Sequence, residues 1–280
     1  MTDSTFNSRV DEILKGSIDL HVHSGPDPYK ERRMDALETA KYAYESEMGG
    51  FVLKSHEFST VQLAQILQKM YPRLKVFGSI TLNTQIGGLN PSAVEAAAII
   101  GAKVVWMPTY DSNTKKSGGI SLTNSSGILL PEVIDIIDIA VEHKMVIASG
   151  HASPRDAITL FATARDRGGH KLIATHPLGV ASNSEINEMV AQGAYVEWTF
   201  LSCMPSTGVT DPKSIATSAK EIGIGKCLIT TDFGQWMNPP ASEGMRMAIA
   251  SMIQAGLSDQ DITTLVKDNP IKLISPDNQL

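Results

Sequence analysis

Eight short apolar runs, each followed by a stretch of helical length, constrain most strongly what this chain can fold into. The spacing predicts strands over Ser17–His23, Gly50–His56, Lys75–Asn83, Lys103–Thr109, Met145–His151, Lys171–His176, Ala194–Phe200 and Lys226–Asp232. Runs such as Val104-Val105-Trp106-Met107 and Leu172-Ile173-Ala174 are apolar throughout, as strands covered on both faces require. Alternating strand and helix implies a parallel sheet with right-handed crossovers. Eight units in 280 residues fit one α/β domain over 1–280, a (β/α)₈ TIM barrel, for which ~250 residues suffice. No glycine-rich fingerprint follows the first strand, which sets aside a dinucleotide-binding sheet.

The helices carry their own punctuation. Asn90-Pro91 and Asp211-Pro212 put a capping side chain before a proline at the first helical position. Ser153 with Asp156, and Ser258 with Asp261, resemble capping boxes, while Gly168, Gly193, Gly223 and Gly256 stand where helices should stop. A last extra helix is expected over Ser258–Asp268, ended by Asn269-Pro270. The one long connection, Tyr110–Gly127, suits either a lid or a surface flap, and Ile120–Leu122 and Ile128–Leu130 flank a turn that would make a small hairpin.

Charge and cysteine content narrow the function. Twenty-four Lys and Arg against 30 Asp and Glu give a net charge of −6, so there is no basic footprint for nucleic acid or an anionic membrane. No apolar run approaches the ~20 residues of a membrane helix, and Val133–Val141 is cut by Asp135 and Asp138. The first residues are polar, without a signal core, and only Cys203 and Cys227 are present, too few for a disulfide framework or a cysteine-based zinc site. The expectation is a cytoplasmic protein acting on a small molecule; a homo-oligomer stays open.

Five of the seven histidines, His21, His23, His56, His151 and His176, fall at the C-terminal ends of predicted strands, which in this barrel open on one face. Strand periodicity puts Asp19, His21 and His23 on one side of the first strand. Two imidazoles ~7 Å apart can share a metal if the strand curls, and Asp19 is placed to orient one of them. Lys54 and His56 share a face at the end of the second strand, so a lysine would sit beside candidate ligands. Such a lysine either takes up CO₂ to become a carbamate ligand or stays an ammonium for an anionic substrate. Asp232 ends the eighth strand.

Taken together, Asp19-Leu20-His21-Val22-His23, His151, His176, Asp232 and the closing Asp268–Leu273 segment resemble the amidohydrolase superfamily of metal-dependent barrel enzymes. Gly150-His151 followed by Ser153 is similar to a small amidohydrolase-like group with no settled substrate. The resemblance implies a metal set of His21, His23, Lys54, His151, His176 and Asp232, holding one or two divalent ions, zinc first, with Mn, Fe, Co or Ni also suited. Its usual bridging ligand on the fourth strand is missing, since Trp106 stands there; Lys54, as a carbamylated lysine, is the substitute.

The implied chemistry is hydrolysis of an amide, lactone, ester or thioester by a metal-activated water, with Asp232 as general base and His56 as a second catalytic residue. Alternatives on the same fold are a metal-dependent lyase, either decarboxylase or hydratase, and a phosphoesterase. Three further polar residues are candidate substrate contacts. Arg155 is in the first turn after His151, Glu197 is on the inward face of the seventh strand, and Asn83 ends the third. A buried Glu197 must be paired or ligated to be tolerated.

Overall fold

The computed structural model describes residues 3–208 and 210–275. The expected (β/α)₈ fold is present. Strands β1 (Ile18–His23), β2 (Gly50–Lys54), β3 (Lys75–Thr81), β4 (Val104–Trp106), β5 (Val146–Ala148), β6 (Leu172–Ala174), β7 (Tyr195–Thr199) and β8 (Cys227–Thr230) form one sheet in sequential order. The residues after β8 pair back onto β1, with Asp232 N–H donating to His21 O at 2.9 Å and His23 N–H to Phe233 O at 2.8 Å. Each strand is shorter than its apolar run, so His56, His151, His176 and Asp232 lie just beyond strand ends rather than within them.

Helices α2 (Ala36–Glu45), α3 (Val61–Met70), α4 (Pro91–Ile99), α5 (Pro131–Glu142), α6 (Pro154–Asp166), α7 (Asn183–Ala191), α8 (Pro212–Ile222) and α9 (Ala241–Gln254) follow the strands in turn. Asn90, Ser153 and Asp211 cap α4, α6 and α8 with their side chains, as the sequence suggested. The hairpin in the long connection is minimal: Thr123 bridges Leu129, and Asn124 N–H donates to Ile128 O. Among the described residues, no helix is long and apolar enough to cross a membrane.

Two helical features differ from expectation. A helix α1 (Asp3–Leu14), not expected from the sequence, precedes β1; it buries Val10, Ile13 and Leu14 and packs on α9. At the other end, α10 (Asp259–Thr263) opens on the expected Ser258–Asp261 capping box. Proline does not close it. A π-helical stretch, Thr264–Asp268, leads straight into α11 (Asn269–Ile274). The wider π turn gives the Pro270 ring room, and Asn269 Nδ2 donates to the carbonyls of Ile224 and Cys227 at 2.9 and 2.7 Å.

The chain groups into two compact units. One comprises Met1–Leu53, Leu63–Phe77 and Trp198–Lys272; its buried side chains include Leu14, Leu20, Leu228, Phe233, Ile249 and Leu265. The other comprises Lys54–Gln62, Gly78–Glu197 and Leu273–Leu280. Its core is built from Val94, Val105, Ile137, Ile147, Leu160 and Leu172, with α4 against α5 and α6 against α7.

Candidate functional site

In the first unit, the alternation of β1 and the turn after β8 bring three donors to one point. His21 Nε2 and His23 Nε2 lie 3.1 and 3.2 Å from Asp232 Oδ1, and the two rings are 5.3 Å apart between centroids. One ligating atom from each residue falls within 4.8 Å of the others. Two imidazole nitrogens and a carboxylate oxygen, nearly shielded from water, make a donor set that suits Zn, Mn, Fe, Co or Ni. Burial opposes the charge on Asp232, but the adjacent His21 and His23 rings prevail and hold its carboxyl well below the usual range.

The local backbone explains how these groups meet. Asp232 has φ +56°, in the left-handed region, which turns its carboxylate back toward β1. Gly234, with φ +148°, lies so close to His23 that a Cβ there would stand 2.4 Å from the His23 carbonyl oxygen. Asp19, expected to orient an imidazole, joins the two strand ends through backbone amides and a hydroxyl. It accepts from His21 N–H at 3.1 Å, and from the Thr231 amide and hydroxyl at 3.1 and 2.5 Å, fixing β1 against the end of β8. Burial raises its carboxyl to about 7 against those hydrogen bonds.

The loop after β1 is tied down beside this cluster. Asp27 accepts from Arg32 Nε at 2.8 Å and from two backbone amides. Burial works against its charge, yet these bonds and the guanidinium lower its carboxyl pKa. Arg33 N–H then donates to Gly234 O at 3.0 Å.

The second unit holds the other candidates in two groups. His151 and His176 lie with ring centroids 5.1 Å apart. Gly150 N–H donates to Thr175 Oγ1 at 3.1 Å and Thr175 N–H to Ser149 Oγ at 3.0 Å, latching the ends of β5 and β6. Only glycine fits at 150, where φ is +56° and a Cβ would lie 2.1 Å from Met107 O. The hydroxyls of Ser112 and Thr114 both donate to His151 O, at 2.8 and 2.6 Å. The long connection is thus pinned to a candidate ligand, a role its Ser-rich composition did not reveal.

His56 Nδ1 is 2.8 Å from Thr109 Oγ1, and its ring stacks on Tyr110 at 3.9 Å between centroids. Asn83 organises this group. Its Nδ2 donates to His56 O at 3.0 Å and to Thr109 Oγ1 at 2.7 Å, while its Oδ1 accepts from Thr109 N–H at 2.8 Å. Both ends of the Asn83 amide are thus engaged with His56 and Thr109. Lys54, 1% exposed, has its amine over the Trp106 ring.

A cavity of about 140 Å³ opens beside His151 and His176. Neither Arg155, which is solvent-exposed, nor Glu197, fully buried in β7, is among the residues that line it.

A model of a family of unknown function, DUF6282, matches residues 16–197. No curated protein matches the sequence. Among solved structures, the chain is similar to an amidohydrolase from Pseudomonas aeruginosa, with TM-score 0.68 and 11% identity over 96% of this chain and 98% of that one. It is also similar to the probable dipeptidase PvdM from the same organism, with TM-score 0.69 and 12% identity over 97% and 98% of the two chains. A probable 2-pyrone-4,6-dicarboxylic acid hydrolase from Acinetobacter baumannii, with citric acid bound, gives TM-score 0.61 and 14% identity over 93% and 100%. At these identities the likeness is one of fold.

Proposed function

This chain belongs to the DUF6282 family, and we propose that it is a metal-dependent hydrolase of a small molecule, with a divalent ion held by His21, His23 and Asp232. The convergence of three ligating atoms within 4.8 Å carries the reading. Held by His21, His23 and Asp232, a divalent ion would supply Lewis acidity, lowering the pKa of a water from about 15.7 toward ~7 and polarising an acyl oxygen. Asp232, whose carboxyl stays ionised beside the two imidazoles, accepts a proton from the attacking water and returns it to the leaving group. The printed names of the similar structures, an amidohydrolase, a probable dipeptidase and a probable dicarboxylic acid hydrolase, agree with acyl-group hydrolysis. Amide, lactone, ester and thioester are therefore the bonds to test first, in a cytoplasmic setting consistent with two reduced cysteines.

We assign metal ligation to His151 and His176 as well, and a proton-handling role to His56, whose ring is set by Thr109 and Tyr110. Lys54 we assign as an ammonium. The face of an indole is negative and attracts a cation, whereas a carbamate anion over Trp106 would be repelled. Elemental analysis of the purified protein, followed by assay on panels of these four acyl classes before and after chelation, tests the proposal. Stoichiometric divalent metal and chelator-sensitive turnover are expected. Protein that neither carries nor takes up a divalent ion overturns it.

A further inference from the structure

The cavity beside His151 and His176 has a wall unlike the donor cluster at its end. Ala157 on α6, Ala174 on β6, and Ala181 and Met189 about α7 line it, three small side chains among four, which is what leaves the space open. Two of its hydroxyls each accept one backbone N–H and keep their own proton to donate: Ser149 Oγ accepts from Thr175 N–H and Thr175 Oγ1 from Gly150 N–H. Most of the wall is nonetheless aliphatic, with Pro154, Pro177 and Val180 beside the three alanines and Met189. A volume of about 140 Å³ is close to the ~150 Å³ at which an apolar cavity binds benzene. The lining also includes one cation, Lys115, and no carboxylate.

We infer that this cavity binds the body of a small monocarboxylate, a ring or branched chain of about six carbons, with its carboxylate toward Lys115. Apolar burial supplies the affinity and the lysine supplies the sign. As a statement about substrate it rests on the hydrolase reading, because His151 and His176 border the same cavity. As a statement about binding it does not.

The probe is cyclohexanecarboxylate, titrated into protein labelled at its methionine methyl groups and followed by NMR at Met189, assigned from a Met189→Leu spectrum. A saturable shift is expected at Met189. Acetate, with the same charge and no body, should give none. Cyclohexanol should bind about two- to fivefold more weakly, a gap that closes in Lys115→Met and at high salt. Ala181→Leu and, separately, Ala152→Leu should fill the space and remove the shift while far-UV circular dichroism stays unchanged.

Absence of a saturable shift in the parent protein overturns the inference, as does a shift that survives both filling variants. Equal binding of acid and alcohol overturns the assignment of a carboxylate. The titration needs no turnover. Binding without hydrolysis on any panel would sink the hydrolase reading alone, and chelator-sensitive turnover without binding would sink this inference alone.

Discussion

The Lys54 amine lies over the indole of Trp106, 4.3 Å from the ring centroid, and both side chains are buried. In the superfamily pattern that the sequence resembles, the fourth-strand position would supply a bridging metal ligand. Here the aromatic that occupies it and the lysine read as its substitute are each other's neighbours. A cation–π contact shielded from water would contribute about 2 kcal/mol to an ammonium at this place, and on that contact rests our proposal of an ammonium there.

Lys54→Met keeps the length of the side chain and its packing on Trp106. We expect it to fold and to retain the metal content of the parent protein, with no rescue of activity by short carboxylic acids. Loss of an ion in this variant, or a carbamate carbon signal after labelling with ¹³C-bicarbonate, would restore the ligand role.

His23→Ala removes one of three convergent donors. Metal content by elemental analysis should fall to a small fraction of the parent value. Metal that binds only the folded chain stabilises it by about 2.7 kcal/mol at a hundredfold excess over Kd. Added metal should therefore raise the Tm of the parent protein and not that of the variant.

Asp232→Asn keeps the shape and one oxygen but cannot accept a proton at neutral pH. We expect a folded, metal-containing variant whose kcat falls ~10²–10⁴-fold with little change in KM. Steady-state kinetics on the substrate found by screening, with metal measured in the same samples, checks this; near-parental kcat would take Asp232 out of the chemistry.

Gly150→Ala forces a methyl group to within 2.1 Å of Met107 O at a φ of +56°. Left-handed strain alone costs about 1–3 kcal/mol, and the clash adds to it. Denaturant titration should show a large fall in stability, whereas Gly223→Ala, with nothing within 4 Å of the added carbon, should pay the backbone cost only.

Burial pushes the Cys227 thiol up to about 11, against a hydrogen bond with Trp198. Its folded pKa exceeds its ordinary value of 9.0, so its contribution to stability is whole below pH 9 and is lost as pH rises through about 11. At pH 8, iodoacetamide should modify the half-buried Cys203 far faster than Cys227, read by peptide mass spectrometry.

Local pattern was enough to locate all eight strands, the caps at Asn90, Ser153 and Asp211, and the shared face of His21 and His23. Each follows from an apolar run, a short-range hydrogen bond or a period of two. Asp232 joined His21 and His23 only through the family resemblance and closure of the barrel. What stayed hidden depends on distant partners. Helix α1 has a polar start, and its buried stripe makes sense only against α9. Asn83 reads as a polar residue at a strand end until Thr109 and the His56 carbonyl are beside it. The π turn before Pro270 needs the carbonyls of Ile224 and Cys227, which no nearby sequence announces.

His176 and Asp232 hold φ of +30° and +56°, a conformation that costs most side chains dearly and asparagine and glycine least. The aim of each group is therefore written into the main chain, and copying the side chains onto another barrel would not copy the aim. Asn or Gly at either position should therefore cost the backbone little, whereas most other side chains there should carry strain.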